Sequence, residues 1–263
     1  MFKREMKINF KSFMLWTLIL ICLFLIAFLI YPSIVVGENM DKFNEMINIF
    51  PPEILKAFNM DIASIDTAFS WFKTEGFVFV LMITGVYSGL LGSNILLKEE
   101  DDNTIEYLNS LPISRKDIVV NKYLCGILYI FLVVLSLGIF NYVGLSLSGT
   151  FDERLFILLS ITPIFSSFVI FSLCMFLSTF VHKIKKITSI SLGIVFISYF
   201  INVISELSEN LMFLRYFSVF TLADIRNVIL NFSINPLMVV ISIVLMLVLF
   251  VGILVNYSNK ELV

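Results

Sequence analysis

Apolar residues along the chain are grouped into six long stretches that contain no Asp, Glu, Lys or Arg. A helix that crosses a membrane needs about 20 mainly apolar residues, and each stretch is near or above that length. The fifth stretch is the shortest, because Glu206 and Glu209 follow it closely. The stretches are residues 13–36, 76–97, 123–148, 155–181, 187–204 and 236–255. This pattern predicts an all-α integral membrane protein of a single domain, residues 1–263, with six membrane-spanning helices.

The segment before the first stretch combines basic and apolar residues at helical spacing. Lysines recur at positions i, i+4 and i+8, and large apolar residues recur beside them with the same period. A helix with this pattern lies in the interface of an anionic membrane. The residues are Lys3, Lys7 and Lys11, and Phe2, Met6 and Phe10. We therefore predict an N-terminal amphipathic elbow helix, with a frayed basic tail as the alternative.

Lys and Arg are unevenly distributed among the segments that join the spanning helices. If the N-terminus is cytoplasmic, 12 of the 18 basic residues lie on the cytoplasmic side and 6 on the outer side. Short cytoplasmic segments are enriched in Lys and Arg. The distribution therefore predicts cytoplasmic N- and C-termini, which agrees with an even number of spans.

The composition excludes soluble and nucleic-acid-binding classes of protein. Hydrophobic residues make up 59% of the chain and charged residues 14%, whereas an average soluble domain has about 45–50% and 25%. The net charge of -2 provides no basic excess for binding DNA or RNA. Cys22, Cys125 and Cys174 lie in apolar stretches without metal-binding spacing, so we expect buried, inert thiols.

The chain also lacks the residues of common catalytic sites. His182, the only histidine, lies beside lysines at the end of the fourth stretch, where we expect a solvated ring. Glu99 and Glu100 begin like the protease motif E-E-x-x-x-R, but Thr104 occupies the arginine position. No glycine precedes a lysine, which excludes a phosphate-binding P-loop. No ionisable residue lies in the middle of a span, which disfavours a proton-driven carrier. We predict no catalytic, cofactor-binding or metal-binding residue on this chain.

The segment between the second and third stretches, residues 98–122, contains 10 of the 38 charged residues of the chain. Asn103 and Glu106 have the spacing of a capping box at a helix N-terminus. We expect the acidic residues 99–102 to lie at that N-terminus, where the helix dipole favours negative charge. Pro112 ends the predicted helix.

This short helix is predicted to have an apolar face. Apolar residues recur at i, i+3 and i+6 with a tyrosine alongside. Such a face on a solvated loop indicates a docking surface, and an exposed loop helix without a partner is the alternative. The residues are Ile105, Leu108 and Leu111, with Tyr107. Ser114 and Asp117 then repeat the capping pattern and predict a second helix that continues into the third span.

Residues 99–115 resemble a signature of the permease subunits of ABC-2 type transporters, E-E-x-x-G-T-x-E-x-L followed by L-P-[IV]-[ST]-R. Asn103 stands where the family usually has glycine, and asparagine tolerates the same backbone conformations. In that family the segment forms a coupling helix that docks on a separate ATPase subunit. Six helices, an N-terminal elbow and an outer loop after the first helix resemble the family over nearly the whole chain.

The resemblance implies the permease subunit of an ATP-driven exporter in the bacterial cytoplasmic membrane. ATP and Mg would bind to a separate ATPase subunit, and a second permease copy or a paralogue would complete the transport path. The residues implied to contact the ATPase are Glu106, Tyr107, Leu108 and Leu111, and those implied to hold the turn are Pro112 and Arg115. Asn103, Thr104 and Ile105 complete the predicted coupling set.

Two other segments have apolar residues at helical spacing. Residues 37–75 are predicted to form two short amphipathic helices on either side of Pro51 and Pro52. Their apolar residues are Phe43, Met46, Ile47 and Phe50, then Ile54, Leu55 and Phe58. Residues 205–235 are predicted to form either re-entrant helices, as in the family, or plain interfacial helices. The apolar residues here are Leu211, Leu214, Phe217 and Phe220.

Small residues in the second stretch recur at i, i+4 and i+8: Gly85, Gly89 and Ser93. Such a stripe permits close helix contact. It is a candidate for packing within the subunit or for a dimer seam.

The 28 Phe residues and the absence of charge from the middle of the spans favour an amphipathic or hydrophobic cargo, such as a peptide toxin or peptide antibiotic. Lipid-facing surfaces would require the same composition. A stand-alone channel or carrier is one alternative function. An integral membrane enzyme is another, and its only polar candidates are Asn141, Asn202 and His182.

Overall fold

The computed structural model describes residues 1–35, 49–51, 67–102, 104–105 and 112–260, without the side chains of residues 31–35, 74, 75 and 209. Every regular element in these ranges is helical. The α-helices are α1 (Phe2–Val35), α2 (Ala68–Trp71), α3 (Phe77–Asp101), α4 (Arg115–Ser148), α5 (Glu153–Ile161), α6 (Pro163–Ser178), α7 (Ile184–Leu207), α8 (Ile225–Asn231) and α9 (Pro236–Asn259). A π-helical turn, Phe72–Gly76, joins α2 to α3, and two 3-10 helices, Glu209–Phe217 and Val219–Ala223, lie between α7 and α8.

Six helical segments of the described part are long and apolar enough to cross a membrane, which confirms the predicted number. They are α1, α3, α4, α5 with α6, α7, and α9. Contacts join the start of α1, the end of α3, the start of α4 and the end of α9 at one end of the bundle. We call this the charged end, defined by Glu5, Glu99, Glu100, Lys122 and Lys260, and the other the opposite end.

Capping interactions determine several helix boundaries. The Oγ atom of Ser114 accepts a hydrogen bond of 3.1 Å from the backbone N–H of Asp117, and α4 begins there as its sequence predicted. The side chain of Asp152 caps α5 in the same way, with a distance of 3.0 Å to the backbone nitrogen of Leu155. α4 ends at Ser148, and its C-cap is Gly149, whose φ of 145° is accessible to glycine and rarely to other residues.

The predicted fourth span, residues 155–181, is two helices in the structure. α5 ends at Ile161 and α6 begins at Pro163. Proline has no backbone N–H and its ring displaces the carbonyl four residues earlier. That carbonyl belongs to Leu159, and the Thr162 hydroxyl donates to it at 2.9 Å. The break is therefore satisfied internally, as a membrane interior requires.

α3 is the central helix of the bundle. It packs most extensively against α6, and also against α7 and α4. The approach to α6 is close enough that a Cβ atom on Gly92 would lie 2.5 Å from the carbonyl oxygen of Phe171. Buried hydroxyls of α3 donate to its own backbone, for example Ser88 to the carbonyl of Thr84 at 2.7 Å. Small and self-satisfied side chains thus allow α3 to lie inside the bundle.

α1 and α9 are peripheral and expose apolar side chains along most of their length, as lipid-facing helices do. The residues before the first apolar stretch belong to α1, which is one continuous helix from Phe2 to Val35. The expectation that all three thiols are buried is wrong for Cys22, which is exposed on α1. Cys125 and Cys174 are buried as expected.

Candidate functional site

Five charged side chains from four parts of the chain are buried together at the charged end. Glu5 belongs to α1, Glu99 and Glu100 to α3, Lys122 to α4, and Lys260 follows α9. Charges leave water at high cost unless they are paired and hydrogen-bonded. The packing of these four parts of the chain therefore depends on how the five charges are paired.

Lys122 joins α4 to both α1 and α3. Its Nζ atom lies 2.8 Å from Oε2 of Glu99 and 3.4 Å from Oε2 of Glu5. It also donates to the carbonyl oxygen of Ile95 at 2.5 Å. The side chains of Lys122, Glu99 and Glu5 are 1%, 4% and 2% exposed, so the interaction is shielded from water.

Lys260 forms a second buried pair, with Glu100. Its Nζ atom lies 2.8 Å and 3.1 Å from the two carboxylate oxygens of Glu100. It also donates to the backbone carbonyl of Val181, in the connection between α6 and α7, at 2.9 Å. Nδ1 of His182 lies 3.2 Å from the same carboxylate, while the His182 side chain stays 54% exposed. The C-terminal segment is thus attached to α3 and to the α6–α7 connection.

The described residues at both ends of the 102–114 loop are anchored. At its start, the backbone N–H of Thr104 donates to the carbonyl of Glu99 at 2.8 Å, and the Ile105 side chain is 5% exposed within the core. At its end, Nη1 of Arg115 donates to the carbonyls of Ser258 and Lys260 at 3.1 Å and 2.8 Å. Ile105 and Arg115 therefore hold the base of the loop against the bundle.

Much of the predicted coupling set lies outside the described residues: Asn103, Glu106, Tyr107, Leu108 and Leu111. The predicted Asn103–Glu106 capping box is among these. Pro112 is described and exposed, just before the cap of α4. The predicted helices of the 37–75 segment also lie mainly outside the described residues, which include 49–51 and 67–75 of that range.

Residues 99–102 were expected to precede the short helix capped by Asn103, most of which lies outside the described residues. Glu99, Glu100 and Asp101 form the last turn of α3, and Asp102 caps its C-terminus. A helix C-terminus disfavours negative charge. The buried lysines offset that cost, because Lys122 neutralises Glu99 and Lys260 neutralises Glu100.

One feature of the sequence indicates this cluster, namely the position of Lys122 on an apolar helix face. Lys122 falls on the same helical face as Ile118, Cys125 and Tyr129, all of which are buried. A lysine on an apolar stripe indicates a buried ion pair, since an isolated ammonium group would not be tolerated there. Nothing local in the sequence identified its partners.

The second polar network lies at the opposite end and holds the 208–223 segment in the bundle. Phe220, on the second 3-10 helix, is 3% exposed and packs on Gly85 so closely that a Cβ there would lie 2.8 Å from its ring. Gly85 is eight residues into α3, about 12 Å along the axis. The segment therefore enters the helical bundle, which favours the re-entrant alternative for residues 205–235; we call residues 208–223 the re-entrant segment.

Polar contacts attach this re-entrant segment to α7. Ser218 donates to the carbonyl of Ser198 at 2.7 Å, and Ser198 Oγ accepts from the backbone N–H of Val219 at 2.8 Å. One turn later, Asn202 accepts from Thr221 at 3.4 Å. The bond from Val219 satisfies a backbone N–H that would otherwise be unpaired inside the bundle.

A salt bridge joins two residues of the same part of the chain, Arg215 and Asp224, at the opposite end. The amide of Asn235 donates to the other Asp224 oxygen at 3.0 Å. Asp224 has a φ of 38°, which is uncommon for a residue with a side chain. The pair therefore fixes the turn between the second 3-10 helix and α8.

The small-residue stripe of α3 faces other helices of the same chain. A Cβ on Gly85 would meet Phe220 and Ile170, and one on Gly89 would meet Val195 at 3.2 Å. Ser93 is buried and donates to the carbonyl of Leu90 at 2.9 Å. These contacts place the stripe inside the subunit.

The polar residues considered for an enzyme do not converge. Asn202 binds the re-entrant segment, and His182 lies at the charged end. Asn141 is roughly seven turns along α4 from Arg115. In the described ranges, no group of three or more His, Cys, Asp and Glu side chains is arranged to hold a metal ion.

A comparison with protein-family models gives one match of nearly full length. The model described as "ABC-2 family transporter protein" matches residues 1–262. The chain belongs to the ABC-2 transporter family. It is therefore a multi-pass membrane permease of the ABC exporter type, and family membership implies a partner ATPase subunit. No curated protein and no solved structure matches this ABC-2 permease.

Proposed function

We propose that this permease couples to its ATPase through the 102–114 segment, which we call the coupling loop. The observation that carries the proposal is the anchoring of the loop at both ends to the charged end of the bundle. Glu99 and Glu100 precede the loop and Arg115 follows it, and all three are bonded to distant parts of the chain. A displacement of the loop would therefore move the helices to which its ends are bonded, whereas an unanchored loop could move without them.

The charged end would face the cytoplasm. The basic residues favour this orientation, with 12 of 18 on the side that includes both termini. The 12 residues include the two buried lysines. They also include the exposed Lys183, Lys185 and Lys186 at the same end. The ATPase, with its ATP and Mg, would then approach the coupling loop from the cytoplasm.

α4 provides a direct route from the loop to the transport path. It is one continuous helix from Arg115 to Ser148 and therefore crosses the membrane without a break. Nucleotide binding would draw two ATPase subunits together and displace the coupling loops, and α4 would transmit the displacement to the opposite end. The permease itself would perform no chemistry.

A second permease, identical or paralogous, would complete the path. We propose an amphipathic or hydrophobic cargo, such as a peptide toxin or peptide antibiotic, because the spans present apolar side chains and no charge at mid-depth. The re-entrant segment around Phe220 would close the outer end of the path between transport events.

Copurification tests the coupling site. The variant Leu108→Arg places a charge on the predicted docking face, and an unpaired charge in an apolar groove strongly opposes binding. We expect it to insert in the membrane but to lose the ATPase. Leu108→Met conserves volume and apolar character and should retain it. Leu230→Arg, at an exposed site on α8 near the opposite end, is the matched charge control and should also retain it.

Two results would contradict the proposal. If Leu108→Arg retains a stoichiometric ATPase, the coupling site is misplaced. If the parent protein purifies from its own cells without any ATPase after mild crosslinking, and transports solutes in liposomes without nucleotide, the chain acts as a stand-alone channel or carrier.

A further inference from the structure

The segment that follows α9 is bonded to both ends of the coupling loop. Nζ of Lys260 contacts Glu100, two residues before the loop. The carbonyl oxygen of the same residue accepts from Arg115, which follows the loop, at 2.8 Å. The Lys260 side chain is 5% exposed. One residue thus joins the two flanks of the loop through its side chain and its backbone.

Both contacts satisfy groups that would otherwise be unpaired at the end of α9. The last carbonyls of a helix have no partner within the helix and carry partial negative charge. Arg115 satisfies two carbonyls there, those of Ser258 and Lys260. In return, the Lys260 ammonium group leaves water because Glu100 and the Val181 carbonyl replace its hydration. Neither interaction is a solvated surface ion pair, which would contribute little.

The geometry points to a role for Lys260 as a positioning residue that clasps the base of the coupling loop, so that the loop, the end of α9 and the α6–α7 connection move as one unit. The inference rests on the proposed function, because it takes the loop as the ATPase docking element. It adds a second route of transmission. Displacement of the loop reaches α9 and the α6–α7 connection directly through Lys260, as well as passing along α4.

The clasp can be tested by measuring whether the end of α9 moves with the flank that precedes the loop, which the Lys260 side chain holds through Glu100. Nitroxide labels are attached at cysteines that replace Asp101 and Asn259, which are both exposed, in a chain whose three native cysteines are replaced by alanine. Dipolar broadening in continuous-wave EPR reports the distance between the labels. The purified complex with its ATPase is measured without nucleotide and with ATP plus vanadate. We expect a short, narrow distance that nucleotide does not change.

The variant Lys260→Met removes the ammonium group and should broaden the distance and make it respond to nucleotide. Lys260→Arg retains the charge and should restore the narrow distance. Lys186→Met, at an exposed lysine of the same end, is the matched control and should behave like the parent. Elution as a single species in size-exclusion chromatography shows that each variant is folded.

Two outcomes would overturn the clasp. The first is a parent distance that changes with nucleotide, and the second is a Lys260→Met distance identical to that of the parent. Failure of the proposed function is separate, because it appears as loss of the ATPase from the parent preparation. In that case the nucleotide-free distances of the permease alone still compare parent, Lys260→Met and Lys260→Arg.

Discussion

The Lys122 ion pair allows a quantitative test of the charged end. The substitution Lys122→Met keeps the length of the side chain and removes its charge, which leaves the carboxylates of Glu5 and Glu99 buried without their shared cation. Removing one partner of a buried pair costs about 3–5 kcal/mol. For a protein of this size, 1 kcal/mol corresponds to about 2–4 °C in Tm. The expected fall is therefore roughly 6–20 °C.

Thermal unfolding of the purified protein in one detergent, at one scan rate, measures this fall. Lys116→Met is the matched control, because Lys116 is exposed six residues earlier on the same helix, and it should change stability by less than about 0.5 kcal/mol. A triple variant, Glu5→Gln with Glu99→Gln and Lys122→Met, leaves no unpaired charge. It should recover most of the lost stability.

A fall of less than about 2 °C for Lys122→Met would mean that Lys122 is hydrated rather than buried in an ion pair. A triple variant less stable than Lys122→Met would mean that packing of the side chains, and not their charge, holds the charged end together.

Three further predictions concern packing and orientation. Gly92→Ala should destabilise the protein by about 1–3 kcal/mol, because the new Cβ would lie 2.5 Å from a backbone oxygen of α6. Gly193→Ala is the control, because no atom lies within 4 Å of the Cβ it would add. Equal Tm values for the two variants would contradict this prediction. Phe220→Ala should cost about 3–5 kcal/mol through the cavity it leaves, again measured as Tm. An impermeant maleimide should label a single cysteine at Leu230 but not at Lys183 in intact cells, and the reverse pattern would invert the proposed orientation.

The number of spans could be predicted from the sequence, because it depends on a local property. A run of apolar residues long enough to cross hydrocarbon forms a helix wherever it occurs, since its backbone must be satisfied internally. The start of α4 was predictable for the same kind of reason. Ser114 and Asp117 are three residues apart, and the cap they form needs no other part of the chain.

The sequence motif predicted the coupling segment, but it did not predict how the base of the coupling loop is held against the bundle. Glu99 and Glu100 were expected to lie beside the N-terminus of the coupling helix, and the structure shows that they also form the C-terminal turn of α3. Two buried carboxylates at a helix C-terminus need paired cations, and the lysines that pair with them here lie far along the chain. Lys122 is 23 residues from Glu99, and Lys260 is 160 residues from Glu100. No local pattern contains such pairs.

Packing likewise decided which apolar residues face lipid and which face protein. Both α1 and α3 are apolar enough to span a membrane, but α3 is buried and α1 largely exposed. The Phe220 ring packs where Gly85 has no side chain, and Gly85 belongs to a helix more than a hundred residues earlier in the chain. The sequence determined how many helices cross the membrane and where several begin, because hydrophobic length and capping are local. Only the tertiary structure decided which charges are buried and which surfaces meet, because those depend on partners distant in sequence.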